Sequence, residues 1–343
     1  MHKNNKSHSL LISSLQFMVG IGAVAIIGFL VYRLWPQPKI PSGWKKIIPP
    51  RDVMALVEYD NFIWSGGRDG VVVLSRDGDL ILGDVQADVE LKYVTSILVS
   101  STDQTLWIGH LNGISRYDGD MWQTYNTSDG LVNNQVLALA QDQDGGLWVG
   151  TPHGLSHYIN GRWTTYSHEN GLASNAISTI YFDSKGQMWV GNGYSTDGGL
   201  SMFDGMRWKT FSLKDGLAHR MVNSILEDSD GVLWFGTGFS SYGGATLYDG
   251  AIWRTISKKD GLAGGKVRSL FQDANDIVWV GSEYEGITRL CDSGWQIFTP
   301  KEGLAGWEVK AVLQDTQGNM WLGTESGLTR ISHQAWLALS SSE

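Results

Sequence analysis

Tryptophan returns in this chain at a nearly fixed interval, and that regularity limits the fold more than any other feature. One frame reads IWSG, LWIG, LWVG, MWVG, LWFG, VWVG and MWLG, with its rings at Trp64, Trp107, Trp148, Trp189, Trp234, Trp279 and Trp321. The spacings are 43, 41, 41, 45, 45 and 42 residues. A second frame places Trp44, Trp122, Trp163, Trp208, Trp253, Trp295 and Trp336 in segments such as GWKKI, RWTTY and GWQIF. Together the frames absorb fourteen of the sixteen tryptophans, leaving Trp35 and Trp307. A period of this length with no helical periodicity excludes helical solenoids and fits a propeller blade.

Each unit reads as four short strands. In the third, Val136–Asp142 is rich in strand formers and runs into the turn signal DQDGG, then Leu147–Thr151 follows. The third strand is Leu155–Tyr158, and an Asn-Gly turn at Asn160–Gly161 leads to Arg162–Tyr166. Neighbouring blades bury both faces of such a sheet, so its strands need not alternate cleanly. Flat Trp rings suit the gap that widens between blades. The Gly of each WxG segment allows a second backbone to come close. The recurring Asp142, Asp183, Asp228, Asp273 and Asp315 precede tight turns, where a carboxylate caps backbone N–H groups; neither DQDGG nor DSDGV supplies a full calcium ligand set.

Seven first strands predict an all-β, seven-bladed propeller of four-stranded blades over residues 44–339, with one outer strand too many. Either Trp44 or Trp336 closes the ring, and the Trp44 strand is preferred because GWKKIIP resembles GWQIFTP. The first unit is degenerate: it lacks the DxxG turn and has Leu80 where an outer Trp is expected.

The segments VNSILEDSDGVLWFGT and VKAVLQDTQGNMWLGTESGL, with DGL-type connectors between units, resemble the two-component-regulator propeller repeat across residues 50–335. That resemblance implies an extracytoplasmic ligand-sensing propeller of the kind carried by hybrid sensor histidine kinases. Those receptors carry about fourteen repeats and then a span and kinase modules. This chain has about seven, with an apolar run ahead of them and no kinase segment after them.

The apolar run lies within 10–35, behind a short basic tail at 1–9 and ahead of a linker at 36–43. Leu10–Tyr32 holds no charged residue and is long enough to cross a bilayer core of about 30 Å. An uncleaved signal anchor is preferred to a cleavable signal peptide or a buried helix. Lys3 and Lys6 on one side and Arg33, Lys39, Lys45 and Lys46 on the other nearly balance, and the body is expected outside the cytoplasm. Residues 52–343 hold all 35 acidic side chains, which argues against a nucleic-acid partner. The single Cys291 excludes an intrachain disulfide framework and a Cys-based zinc site.

Strand alternation puts the connectors between blades and the loops between second and third strands on one face. Two of those loops are long, GNGYSTDGGL at Gly191–Leu200 and GTGFSSYGGATL at Gly236–Leu247. The expected ligand rim is therefore Tyr194, His219, Arg220, Phe239, Tyr242, Glu283, Tyr284, Glu285 and Trp307. Aromatic platforms with hydrogen-bonding neighbours suit a small-molecule, oligosaccharide or peptide ligand. No catalytic motif, metal motif or cofactor is expected: no HExxH, GxSxG or P-loop occurs among the eight His and the turn acids. The function expected is a non-catalytic, membrane-anchored sensor feeding a signalling protein partner. The alternatives are a propeller lyase or hydrolase acting on polysaccharide, and a protein-interaction scaffold.

Overall fold

Every WxG glycine sits where a side chain would strike the next blade. In the computed structural model, which describes residues 40–83, 85, 87–193, 198–291 and 294–341, a Cβ on Gly150 would lie 2.7 Å from Ile177 Cγ2. One on Gly323 would lie 2.5 Å from Val53 Cγ1, which joins the last blade to the first. The repeated glycine thus sets the distance between blades all the way around.

Among the described residues there are seven four-stranded antiparallel sheets, each formed by strands consecutive in sequence except the last. Blades 1 to 6 cover residues 53–82, 96–125, 138–166, 177–211, 222–256 and 267–298; blade 7 combines 309–331 with 44–47. The innermost strands contact one another in a closed circuit from blade 1 through blade 7. In the third unit the strands are Ala138–Gln141, Leu147–Thr151, Gly154–Ile159 and Arg162–Tyr166, within two residues of those expected.

The outer strand that completes blade 7 is Trp44–Ile47, with Trp44 opposite Ile331. That register matches Trp163 opposite Tyr158 and Trp253 opposite Tyr248. Trp336, the rival candidate, is in no strand. It lies in the helix α1, His333–Ser341, whose HQAWLALSS sequence is rich in helix formers and lacks β-branched residues. The blade-1 outer strand Leu80–Leu82 is only three residues long and exposed.

The aspartates do more than cap turns. Asp228 Oδ1 accepts from the backbone N–H of Asp230 (3.1 Å) and Val232 (2.9 Å), while Oδ2 accepts from Trp234 Nε1 at 2.6 Å. The same indole bond occurs at Asp142–Trp148, Asp183–Trp189, Asp273–Trp279 and Asp315–Trp321, at 2.8 to 2.9 Å. Each carboxylate therefore ties a surface turn to a ring in the blade interface. Blade 1 has no such aspartate, and the buried Trp64 Nε1 has no hydrogen-bond partner. These rings anchor seven apolar clusters between blades. Burying each ring is worth up to roughly 4–6 kcal/mol by area.

The expected membrane anchor at 10–35 lies outside the described residues. Among the described residues no helix is long and apolar enough to cross a membrane.

Candidate functional site

The position following the first apolar residue of the inner strand is irregular in five of the seven blades. Strand pairing shifts register there in blades 1, 4, 5, 6 and 7, between Val53 and Ala55, Ile177 and Thr179, Val222 and Ser224, Val267 and Ser269, and Val309 and Ala311. A bulge of this kind turns the extra residue out of the sheet. The skipped residues, with their equivalents in blades 2 and 3, are Met54, Thr95, Leu137, Ser178, Asn223, Arg268 and Lys310. These seven, one from each blade, line a central cavity of about 140 Å³.

Several of them also stitch each blade to the next. Thr95 Oγ1 donates to Val136 O at 2.7 Å, Ser178 Oγ to Val222 O at 2.6 Å, and Asn223 Nδ2 to Val267 O at 2.9 Å. In blades 6 and 7 ion pairs take over this role. Arg268 Nε is 3.1 Å from Glu308, and Lys310 pairs with Glu308 at 3.1 Å and with Asp52. Burial raises the Glu308 pKa above the usual carboxylate range, with Lys310 and Arg268 opposing the rise and Glu283 adding to it.

The expected rim residues that are described lie on the connectors and second-to-third loops. Phe239 and Tyr242 face each other across a two-residue turn, so the long loop of blade 5 is an extended hairpin. Lys266 lies 5.8 Å from the centre of the Phe239 ring and 2.6 Å from Glu283. Glu283 in turn raises the Tyr284 pKa by its charge. The Tyr284 loop meets the Trp307 connector through Gly286 N–H to Trp307 O at 2.8 Å. Phe239, Lys266, Glu283, Tyr284 and Trp307 thus form one run across blades 5, 6 and 7. Phe239, Tyr242, Tyr284 and Trp307 are 56, 74, 63 and 43% exposed, unlike the buried repeat tryptophans.

Glu285 turns to Lys258. His219 stands on the connector whose Met221 carbonyl receives the N–H of Gly238, at the base of the Phe239 hairpin. Its Nδ1 accepts from Met221 N–H at 3.0 Å, and burial followed by the Arg220 charge lowers its pKa. Arg220 is exposed. Tyr194 lies outside the described residues.

Sequence reasoning missed the axial set of Arg268, Lys310, Glu308 and Asp52. A signal was present, since these residues fall beside the constant apolar residue of each V-x-x-I/L segment. A search for repetition passes over a position that changes in every unit. Among the described residues, no group of three or more His, Cys, Asp or Glu is arranged to hold a metal ion.

Several known proteins share this architecture. The extracellular domain of the putative hybrid two component system BT3049 from B. thetaiotaomicron superposes with a TM-score of 0.74 at 20% identity, over 88% of this chain and 42% of that one. That of BT4673 from the same organism gives 0.69 at 19%, over 84% and 40%. The chain therefore spans about two fifths of the length of those domains. Virginiamycin B lyase from Staphylococcus aureus gives 0.65 at 13%, over 84% of this chain and 98% of the enzyme. At these identities the likeness is one of fold. No curated protein matches the chain. Residues 130–153, 171–194, 216–239, 261–284 and 306–326 match the family described as Two component regulator propeller. Those five stretches each take in a connector, an inner strand and the Asp–Trp turn that recur around the ring, and by them the chain belongs to the two component regulator propeller repeat family.

Proposed function

We propose that this chain is a non-catalytic, ligand-binding propeller of an extracytoplasmic sensor, membrane-anchored through residues 10–35 and coupled to a two-component-type signalling partner. The observation that carries the reading is the exposed aromatic run of Phe239, Tyr242, Tyr284 and Trp307 beside the charged axial mouth. Repeat tryptophans are spent on packing; these four rings are not. Flat rings ringed by Lys266, Glu283 and Arg268 offer stacking together with donors and acceptors, which fits an oligosaccharide or a short peptide. The family and the sensor-domain likeness support the same reading.

A thermal-shift screen of saccharides and peptides against the full chain tests it, because ligand binding raises apparent stability by mass action. Replacing Tyr242, Tyr284 and Trp307 together by Ala should weaken a hit at least tenfold and leave the unliganded melting temperature within a few degrees. A hit whose affinity survives that triple change would refute the rim as the site.

A further inference from the structure

Seven tryptophans stand in the WxG frame, and their indole N–H groups meet three different ends. Five are capped by the turn aspartate of their own blade. Trp64 Nε1 is sealed in without a partner. Trp107 Nε1 also finds no acceptor among the described residues, yet it is not sealed. Its ring edges a pocket of about 350 Å³ between blades 2 and 3, on the face opposite the rim.

The difference begins in the sequence. Where blade 3 has Asp142, blade 2 has Ser100: the Ser100 N–H donates to Thr105 O at 2.8 Å, as the Asp142 N–H donates to Gly146 O at 2.9 Å. Ser100 Oγ accepts from the turn N–H groups of Thr102 and Asp103, each at 3.4 Å, and so replaces one carboxylate oxygen. The second oxygen, which elsewhere takes the indole, has no counterpart. Two further changes make the walls polar. Tyr125 stands where blades 4 and 6 have Phe211 and Phe298. The hydroxyls of Tyr117 and Tyr248 bond back to Gly119 and Gly250 in their own turns, whereas that of their counterpart Tyr158 bonds the Tyr125 hydroxyl. Two hydroxyls sharing one bond keep one hydrogen to donate. Burial, and then the bond to Tyr158, pushes the Tyr125 pKa up to about 12, so its hydroxyl stays protonated.

The ring faces are packed, Tyr158 against both Trp107 and Tyr125, so the pocket offers polar edges and no stacking floor. Arg116 gives one Nη2 bond of 2.9 Å to Asp103 and has further N–H groups to donate. Asp103 and Asp144 border the same space. Two acids against one base leave the wall net negative, which disfavours an anion. We propose that this pocket binds a neutral sugar ring, one of whose oxygens accepts from Trp107 Nε1 in the place of the missing carboxylate oxygen. Arg116 donates to a second sugar oxygen, and Asp144 and Asp103 accept from sugar hydroxyls. A polyol brings donors and acceptors together, as these walls require. The volume is more than twice the roughly 150 Å³ that admits a benzene ring, enough for one pyranose. This site is separate from the rim and does not depend on a ligand there.

The test titrates the full chain with methyl β-D-glucoside, methyl β-D-galactoside and methyl α-D-mannoside, followed by saturation-transfer NMR of the sugar. At least one should bind saturably at about 1 mM, the strength a ligand of this size reaches. Trp107→Phe, which keeps an aromatic ring and removes the N–H, should weaken it about fivefold or more. Ser100→Asp gives the indole its repeat carboxylate and should weaken sugar binding about tenfold or more, with the melting temperature level or raised. A misfolded variant cannot imitate that pair of readings. The uronide matching the bound sugar should bind about fivefold more weakly or worse. Replacing Tyr242, Tyr284 and Trp307 together by Ala should leave this binding unchanged. The proposal is overturned if none of the three sugars saturates up to about 50 mM, or if binding is indifferent to both Trp107→Phe and Ser100→Asp. It is equally overturned if the uronide binds as tightly, or if the rim triple change abolishes binding.

Discussion

Replacing Asp228 by Ala tests the idea that each turn carboxylate and its tryptophan act as one unit. Trp234 is buried, and its indole N–H gives a 2.6 Å bond to Asp228 Oδ2; once the acceptor is gone, no water can easily replace it. An unsatisfied buried donor costs about 1–3 kcal/mol. The two turn N–H groups, of Asp230 and Val232, lie near solvent and add about 1 kcal/mol between them. Asp228→Ala should therefore destabilise by about 3 kcal/mol. Trp234→Phe removes the donor and part of the ring and should cost about 2 kcal/mol. In the double variant the stranded N–H no longer exists, so the combined loss should fall short of the sum by about 1–2 kcal/mol. Urea unfolding followed by far-UV circular dichroism gives all four corners of this cycle. Losses that add to within about 0.3 kcal/mol would refute the coupling, as would an Asp228→Ala loss below about 0.5 kcal/mol. The unpartnered Trp64 shows that the ring tolerates one such defect, so the variant is expected to stay folded.

Burial lowers the His110 pKa from 6.5 to about 4, so the native ring favours the neutral imidazole. The unfolded chain binds that proton first, so this stability is complete above about pH 6.5 and is lost as pH falls toward about 4, by at most about 3 kcal/mol. His110→Thr, the residue found at the matching Thr151, should flatten the acid limb of stability against pH, as urea midpoints from pH 4 to 7 would show. Gly150→Ala, whose Cβ would meet Ile177 at 2.7 Å, should cost about 1–3 kcal/mol of unfolding free energy, read from the urea midpoint. Deleting residues 1–35 should move the chain from the carbonate-washed membrane pellet to the supernatant; continued pelleting would refute the anchor.

The ring was legible because its two tryptophan frames mark packing that every blade must repeat. Even the closing strand could be read, since Trp44 carries the segment of an outer strand. Trp336 misled for an instructive reason: it follows Trp295 by 41 residues, a full blade period, yet HQAWLALSS forms a helix. Period alone therefore did not settle its type, and local propensity did. The exposed rim aromatics were legible as departures from the pattern. The axial residues were hidden because the bulge frees that one position from the repeat, so Met54, Asn223 and Lys310 share a place without sharing any chemistry.

The pairing of Trp44 with Ile331 has a mechanical consequence. A pull on the chain at Ile40 acts on a strand bonded along one side only. That strand is also the piece that locks the ring. It could leave blade 7 and open the seam with blade 1 while the other six blades stayed whole. Force arriving from the N-terminal side would load the Trp44–Ile47 ladder and the Lys45–Asp79 pair, and then reach Lys310 and Asp52, whose ion pair spans that seam. In a ring built this way, the fastening is also the part that a pull on the chain loads before any other.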